Sequence, residues 1–403
     1  MANNLALIIK PTHECNLGCK YCYIEKGAET GRMSSLTLEN MIYQLSLLPE
    51  KESFEFIWHG GEPLLMGVEF YKQAFELQKK YLSDKKVNNG LQTNATLITE
   101  EILSFCEDFK FSIGSSLDGP KKINDLTRVY KDGKGSFDDI WRGIQLIKER
   151  NEHISERMQK GQSPFYLGGG AITVLTKYNI DQLEEVYDFF KTNNMGMKIN
   201  PLIKSGKANE AYGDMGLGPE EYGKALVILF DKWFNEVERG IDIDPLSSIL
   251  GSLMTGMPTS CNFGENCRNK FVSIGPLGDV YPCGRFDGVK DFWMGNLNQT
   301  PLSEILSSRL NNTLLCRNAD SISECSSCKN KKICNAGCMH NAYMQKGDIR
   351  DKDYYCASYK ILFSHLENAL NSELDKAKLT PEEVKNYKEE IAKKTKFINK
   401  TFP

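Results

Sequence analysis

Over the first 200 residues, short apolar runs alternate with stretches in which apolar residues recur every three or four positions. The short runs lie at 5–11, 54–59, 88–93, 109–115, 170–175 and 197–201. The helically spaced stretches lie between them, at 38–48, 68–82, 100–108, 137–149 and 180–192. Strands separated by such helices pair in parallel, through right-handed crossovers. A complete eight-unit barrel takes roughly 250 residues. The pattern therefore predicts an α/β fold, a partial (β/α)6 TIM-like barrel, with its reactive loops after the strand C-termini.

Beyond residue 200 the pattern changes twice. Residues 204–216 read as a polar loop, and 219–238 as a helix with Pro219 in its first turn. Near 254–258 the helical period fades, and cysteines, glycines and short strands take over. The predicted domains are 1–254, the barrel with bridging helices; 255–360, a cysteine-rich domain; and 361–403, a helical segment. In that last segment Thr380-Pro-Glu-Glu383 is a capping box, and Val384, Tyr387, Ile391 and Ile398 form one apolar stripe.

Composition narrows the function. The chain has 403 residues, a net charge of -3, 26% charged and 40% hydrophobic residues. That is the make-up of a soluble globular protein. It excludes a basic nucleic-acid binder and a disordered chain. No run reaches the ~18 uncharged apolar residues of a membrane span, and the N-terminus has no signal peptide. The expected compartment is the reducing cytoplasm, with no nucleic-acid or membrane partner. There clustered thiols mean metal or redox chemistry. The 13 cysteines are indeed clustered: three within Cys15–Cys22, nine within Cys261–Cys356, and Cys106 alone.

The first group, Cys15-x3-Cys19-x2-Cys22, follows the first strand directly. Three thiolates on one loop do not complete a tetrahedral zinc site; His13 is the one nearby candidate for a fourth ligand. They do suffice for three irons of a [4Fe–4S] cube, leaving the fourth iron open to a substrate. After the second strand comes Gly60-Gly61-Glu62-Pro63, where paired glycines let backbone approach a ligand and Glu62 can accept from an amino group. The second group runs Cys261-x5-Cys267, then Cys283 after Gly278, then Cys325-x2-Cys328-x5-Cys334-x3-Cys338, then Cys356. A zinc ribbon made of Cys325, Cys328, Cys334 and Cys338 leaves four thiols unused. Two fully ligated clusters use all eight.

These motifs resemble the radical SAM superfamily. The cysteine loop and Gly60–Pro63 match its cluster loop and the motif that holds the amino group of S-adenosylmethionine. Leu91-Gln-Thr-Asn94, Ser116-Leu-Asp-Gly-Pro120 and Asn200-Pro201 are similar too. The resemblance implies that Ser116 and Arg128 contact the methionine carboxylate and that Tyr21 lies near the adenine. The second group resembles the SPASM extension of peptide- and protein-modifying enzymes. That likeness implies Cys261, Cys267, Cys283 and Cys338 around a first auxiliary cluster, and Cys325, Cys328, Cys334 and Cys356 around a second. Three [4Fe–4S] clusters and S-adenosylmethionine are the implied cofactors; an electron donor such as flavodoxin or ferredoxin is an implied partner. The radical chemistry belongs to the cofactor, and the protein aligns the substrate.

Enzymes of this type include anaerobic sulfatase-maturing enzymes, thioether-forming maturases and maturases that make cyclophanes. In the sulfatase-maturing group an aspartate follows the third auxiliary cysteine as base. Here that position is Gly284, and Asp287 three residues later is the candidate base. Only 14 residues precede Cys15, too few for the leader-binding domain of roughly 80–90 residues, the size of a small domain, that many thioether-forming maturases carry. The reading is therefore cross-linking of a ribosomally made precursor peptide, carbon–carbon at an aromatic residue. The alternatives are thioether or formylglycine formation, or a non-enzymatic iron–sulfur electron carrier. Cys106 and Cys316 are left without a ligand role. Replacing either with alanine is expected to leave iron near about twelve per chain, and a loss of about four would overturn that inventory.

Overall fold

The computed structural model describes residues 3–24, 31–236, 240–264, 267, 270–376, 382, 383 and 386. Six strands fall where the apolar runs predict them: β1 (Asn4–Ile9), β2 (Ser53–Trp58), β3 (Lys86–Gln92), β4 (Phe111–Ser116), β5 (Gly170–Leu175) and β6 (Gly196–Pro201). Each pairs in parallel with the next. The crossover helices Ser35–Ser46, Val68–Tyr81, Glu100–Asp108, Phe137–Gln159 and Leu183–Thr192 cover the outer face. Their starts are fixed locally: Ser34 and Thr99 accept from the backbone N–H three residues on, as N-caps do.

Four more strands extend the sheet beyond the six. Two-residue β7 (Ile243–Asp244) adds to β6 in parallel. On the other side β8 (Phe271–Ile274) pairs in parallel with β1, and β9 (Asp279–Tyr281) and β10 (Gly295–Asn296) follow it antiparallel. The order is β10-β9-β8-β1-β2-β3-β4-β5-β6-β7, one sheet of ten strands among the described residues. β1, the first barrel strand in the chain, is thus interior to the sheet, and the cysteine-rich region is hydrogen-bonded to it.

Two elements differ from the sequence reading. Residues 204–216 are not all loop: Ala208–Met215 is a helix. Its polar residues mask a short apolar face, on which Ala208, Ala211, Tyr212 and Met215 pack with Tyr21 and Leu202. The helix that begins at Phe137 runs ten residues past the expected end at 149, to Gln159. Charged residues near 148–153 hide the continuing stripe, in which Asn151 and Ile154 are buried. Asn151 Oδ1 accepts from Leu167 N at 3.0 Å, which ties this helix to the chain entering β5.

The helix Cys356–Lys376 packs along Pro219–Asn235, with Phe230 edge-on to His365. Of the expected capping box only Glu382 and Glu383 are among the described residues, and the whole apolar stripe lies outside them. No described helix is long and apolar enough to cross a membrane. Phe111 is fully buried, and its ring lies 4.9 Å from that of Phe105 and 6.1 Å from that of Tyr71. Phe111→Ala is expected to lower the unfolding free energy by about 3–5 kcal/mol in a denaturant titration, the usual loss for a buried phenylalanine.

Candidate active site

The loop carrying Cys15, Cys19 and Cys22 leaves β1 and is pinned by backbone hydrogen bonds from three sides. Gly61 N donates to Thr12 O at 3.0 Å, and Glu62 N to Glu14 O at 2.8 Å. Gly18 N donates to Val129 O at 2.7 Å, and Lys20 N to Thr127 O at 2.9 Å. Lys207 N donates to Cys22 O at 2.9 Å. The loops after β2, β4 and β6 therefore each hold one part of it. The approach is close enough to require glycine: a Cβ on Gly61 would overlap the Glu14 carbonyl, and Gly60 has φ +114°.

The three thiols lie within electrostatic reach of one another. Burial pushes Cys15 up to about 12 against the pull of Leu17 N; Leu17 N and Asn94 Nδ2 stand 3.4 and 3.7 Å from its sulfur. His13, the candidate fourth zinc ligand, turns instead to Asp287, Nε2 to Oδ2 2.9 Å.

Glu62 has several partners within the chain. It is fully buried and accepts from Leu64 N at 3.0 Å, Thr93 Oγ1 at 2.7 Å and Asn94 N at 2.8 Å. Burial outweighs these bonds and pushes its carboxyl up to about 7. Both oxygens are thus engaged by the chain itself. Glu62 braces the loops after β2 and β3, and Pro63 opens the short helical turn that follows it.

Tyr21, Asp118, Thr127 and Arg128 form a buried group beside Cys19. Tyr21 Oη donates to Asp118 Oδ2 at 2.5 Å and Thr127 Oγ1 donates to it at 3.0 Å. Arg128 Nε lies 3.4 Å from Asp118 Oδ1, and the guanidinium stands 5.5 Å from the centre of the Tyr21 ring. Arg128 is 7% exposed, yet its Nε makes no well-formed hydrogen bond. A buried cation with unfilled donor capacity suits an anionic ligand such as a carboxylate. Ser116, at the end of β4, accepts from Gln92 Nε2 at 3.1 Å. Asp118 sits inside the quoted Ser116–Pro120 motif; a carboxylate in an otherwise uncharged motif was its signal.

Lys10, immediately after β1, was missed by the sequence reading. It is 1% exposed; its Nζ lies 2.8 Å from Asp287 Oδ2, donates to Gly284 O at 2.9 Å, and stands 4.8 Å from the centre of the Tyr23 ring. Asp287 therefore points into the barrel mouth. Burial opposes its charge, but Lys10 and His13 outweigh burial and hold it below the usual carboxylate range. Asp287, the expected base, is thus ion-paired to Lys10 and His13 in this structure. Gly284 leaves no room for a side chain: a Cβ there would meet Ile8 Cγ2 at 2.7 Å. His59 is kept neutral, pushed down to about 3 by burial and Lys10.

The remaining thiols divide into two sets. Cys325, Cys328, Cys334 and Cys356 line one pocket. Cys338, next along the chain after Cys334, faces Arg285 and Cys283 instead. Arg285 is within electrostatic reach of Cys338, Cys261 and Cys283, and Cys267 and Cys283 pack against the same apolar cluster. This division sets Cys338 apart from the four-thiol zinc-ribbon arrangement. His340 is fully buried against Phe286, and neither ring nitrogen has a well-formed partner, which fits a sulfur-rich neighbour. Among the described residues no three such side chains converge tightly enough for a single metal ion. A cubane needs its thiolates spread over separate corners. Cys106 is buried in the core and Cys316 is exposed, and neither joins a set.

A partial parallel barrel whose first loop presents three thiols, with further thiol sets docked on β1, is the architecture of a radical SAM enzyme with a cluster-binding extension. Residues 9–190 match the radical SAM superfamily, and 261–329 match SPASM, an iron–sulfur cluster-binding domain. The chain belongs to the radical SAM superfamily and carries a SPASM domain, and so uses [4Fe–4S] clusters and S-adenosylmethionine. A cysteine-type anaerobic sulfatase-maturating enzyme from Clostridium perfringens (strain 13 / Type A) is 30% identical over 379 residues, which are 90% of this chain and 96% of that protein. The solved structure of native anSMEcpe with bound AdoMet and Cp18Cys peptide matches with a TM-score of 0.75 at 27% identity, covering 92% of this chain and 99% of that one. Streptococcus suis SuiB bound to precursor peptide SuiA matches with a TM-score of 0.61 at 19% identity, covering 88% and 76%, a likeness of fold alone.

Two variants test the site. Asp287→Asn is expected to destabilise the protein by about 3–5 kcal/mol, because it leaves Lys10 buried without its partner; adding Lys10→Met should recover most of that loss. Gly61→Ala is expected to abolish S-adenosylmethionine binding and to release about four irons per chain, by displacing the loop of one cluster.

Proposed function

We propose that this radical SAM/SPASM enzyme oxidises a side chain of a ribosomally made peptide, and completes the oxidation as a cross-link between an aromatic residue and a nearby side-chain carbon. Cys15, Cys19 and Cys22 would hold the open cluster. Cys261, Cys267, Cys283 and Cys338 would hold one closed cluster, and Cys325, Cys328, Cys334 and Cys356 the other. When bound, these groups and S-adenosylmethionine supply a carbon-centred radical that removes a hydrogen atom, and an acceptor for the second electron. An external one-electron donor, such as flavodoxin or ferredoxin, would start the cycle.

The chain's own residues do the positioning. Arg128, with its unfilled Nε, would bind the methionine carboxylate, and Ser116 stands at the end of the adjoining strand. Tyr21, held by Asp118, presents an aromatic face for the adenine. Glu62 fixes the spacing of the loops through Thr93 and Asn94. Lys10 and Asp287 form a closed ion pair over β1, which keeps that wall of the mouth polar yet uncharged overall.

The observation that carries the cross-linking reading is Gly284, where a Cβ would meet Ile8 Cγ2 at 2.7 Å and where the resemblance to sulfatase-maturing enzymes implies an aspartate. A second reading, formylglycine formation, is favoured by the 30% identity across nearly the whole of a sulfatase-maturating relative. The experiment is to incubate reconstituted enzyme, S-adenosylmethionine and reductant with either a neighbouring precursor peptide or a cysteine-containing sulfatase peptide. The expected result is 5′-deoxyadenosine together with loss of two hydrogens from the precursor peptide. Replacement of sulfur by oxygen together with loss of two hydrogens in the sulfatase peptide, with the precursor unchanged, would establish the second reading instead. Absence of 5′-deoxyadenosine in every mixture would refute both.

A further inference from the structure

Arg285 has no part in the reaction as derived so far. It comes two residues after Cys283, is half-buried, and turns inward. Its Nη1 lies 3.7 Å from Cys338 Sγ and 3.4 Å from Asn341 Oδ1. The thiols of Cys338, Cys261 and Cys283 lie around it, and the Asp353 carboxylate is within electrostatic reach as well. A permanent cation is therefore set among one group of sulfurs. Asn341 keeps it oriented, since Asn341 Nδ2 is itself fixed by Asp353 Oδ2 at 3.1 Å.

The other set is placed differently. Asp353 is 1% exposed, and accepts from Cys338 N at 2.8 Å and Tyr355 N at 2.7 Å. It is within electrostatic reach of Cys334 and Cys356. Arg285 thus stands inside the first set, the carboxylate stands between the two, and Lys331, Lys352, Lys360 and Arg317 lie by the second.

We propose that Arg285 is a positioning residue that raises the reduction potential of the first auxiliary cluster, by donating Nη1–H to the Cys338 sulfur. Reduction adds one negative charge to a cluster. A cation hydrogen-bonded to a ligand sulfur stabilises the reduced form more than the oxidised form. Arginine stays protonated throughout the working pH range, so the effect does not vary with pH. The inference rests on the cluster assignment above, which the iron content of the wild-type protein checks separately.

The test is a mediated redox titration of the reconstituted full chain, followed by electron paramagnetic resonance. Wild type is compared with Arg285→Met and Arg285→Lys. Arg285→Met is expected to shift one auxiliary signal to lower potential by about tenfold in the reduced-to-oxidised ratio, about 59 mV for one electron, leaving the other two signals in place. Should Arg285→Met fail to take up that cluster, Arg285→Lys carries the measurement. It keeps the charge but not the reach of the fork, and should give a smaller shift in the same direction. An unchanged potential in whichever variant loads its clusters overturns the proposal. So does a failure of both variants to bind the four irons, which would make Arg285 structural only. A wild-type protein lacking the auxiliary irons would instead refute the cluster assignment itself.

Discussion

The parallel pairing of β8 with β1 is the constraint on which the rest of the site depends. Ala6 N donates to Lys270 O and Lys10 N donates to Ile274 O, so the cysteine-rich region enters as a further strand of the barrel sheet. That pairing delivers the 283–287 segment to the mouth above β1. It explains why Gly284 packs on Ile8 and why Lys10, buried at the end of the first strand, finds its counter-charge 277 residues later in Asp287. A buried lysine without such a partner would be strongly destabilising. The ion pair therefore couples correct docking of the second thiol group to the stability of the first strand.

The cluster loop illustrates a different economy. It has little regular structure, and three neighbouring loops supply its backbone partners. Glu62 is the junction: its backbone holds Glu14 and its carboxylate holds Thr93 and Asn94. A single buried residue thus fixes the loops after β1, β2 and β3 relative to one another. This is preorganisation by the protein for a reaction whose difficult chemistry belongs to its cofactor.

The parts of the site that were legible in the sequence are those whose spacing is itself the signal. Cysteine intervals, the glycine pair and the strand–helix alternation all survive without tertiary information. Side chains were harder. The bracing contacts of Glu62 were not legible, because its partners Thr93 and Asn94 come from the next strand's loop. Nor was the ion pair of Asp287, because its lysine lies near the other end of the chain. The helix Ala208–Met215 was concealed because its buried face is only four small or mixed residues wide.

By itself the sequence determined the barrel, the order of its strands, the three-thiol loop and the family. These follow from periodicity and from short-range intervals, which need no knowledge of the fold. Only the tertiary structure decided that the second thiol region continues the first sheet, and that Lys10, Asp118 and Arg285 occupy positions of consequence. Charges acquire meaning from what lies opposite them. In a low-dielectric interior an ionic partner a few ångströms away decides whether a group is a base, an anchor or a tuning charge, and no interval along the chain records that distance.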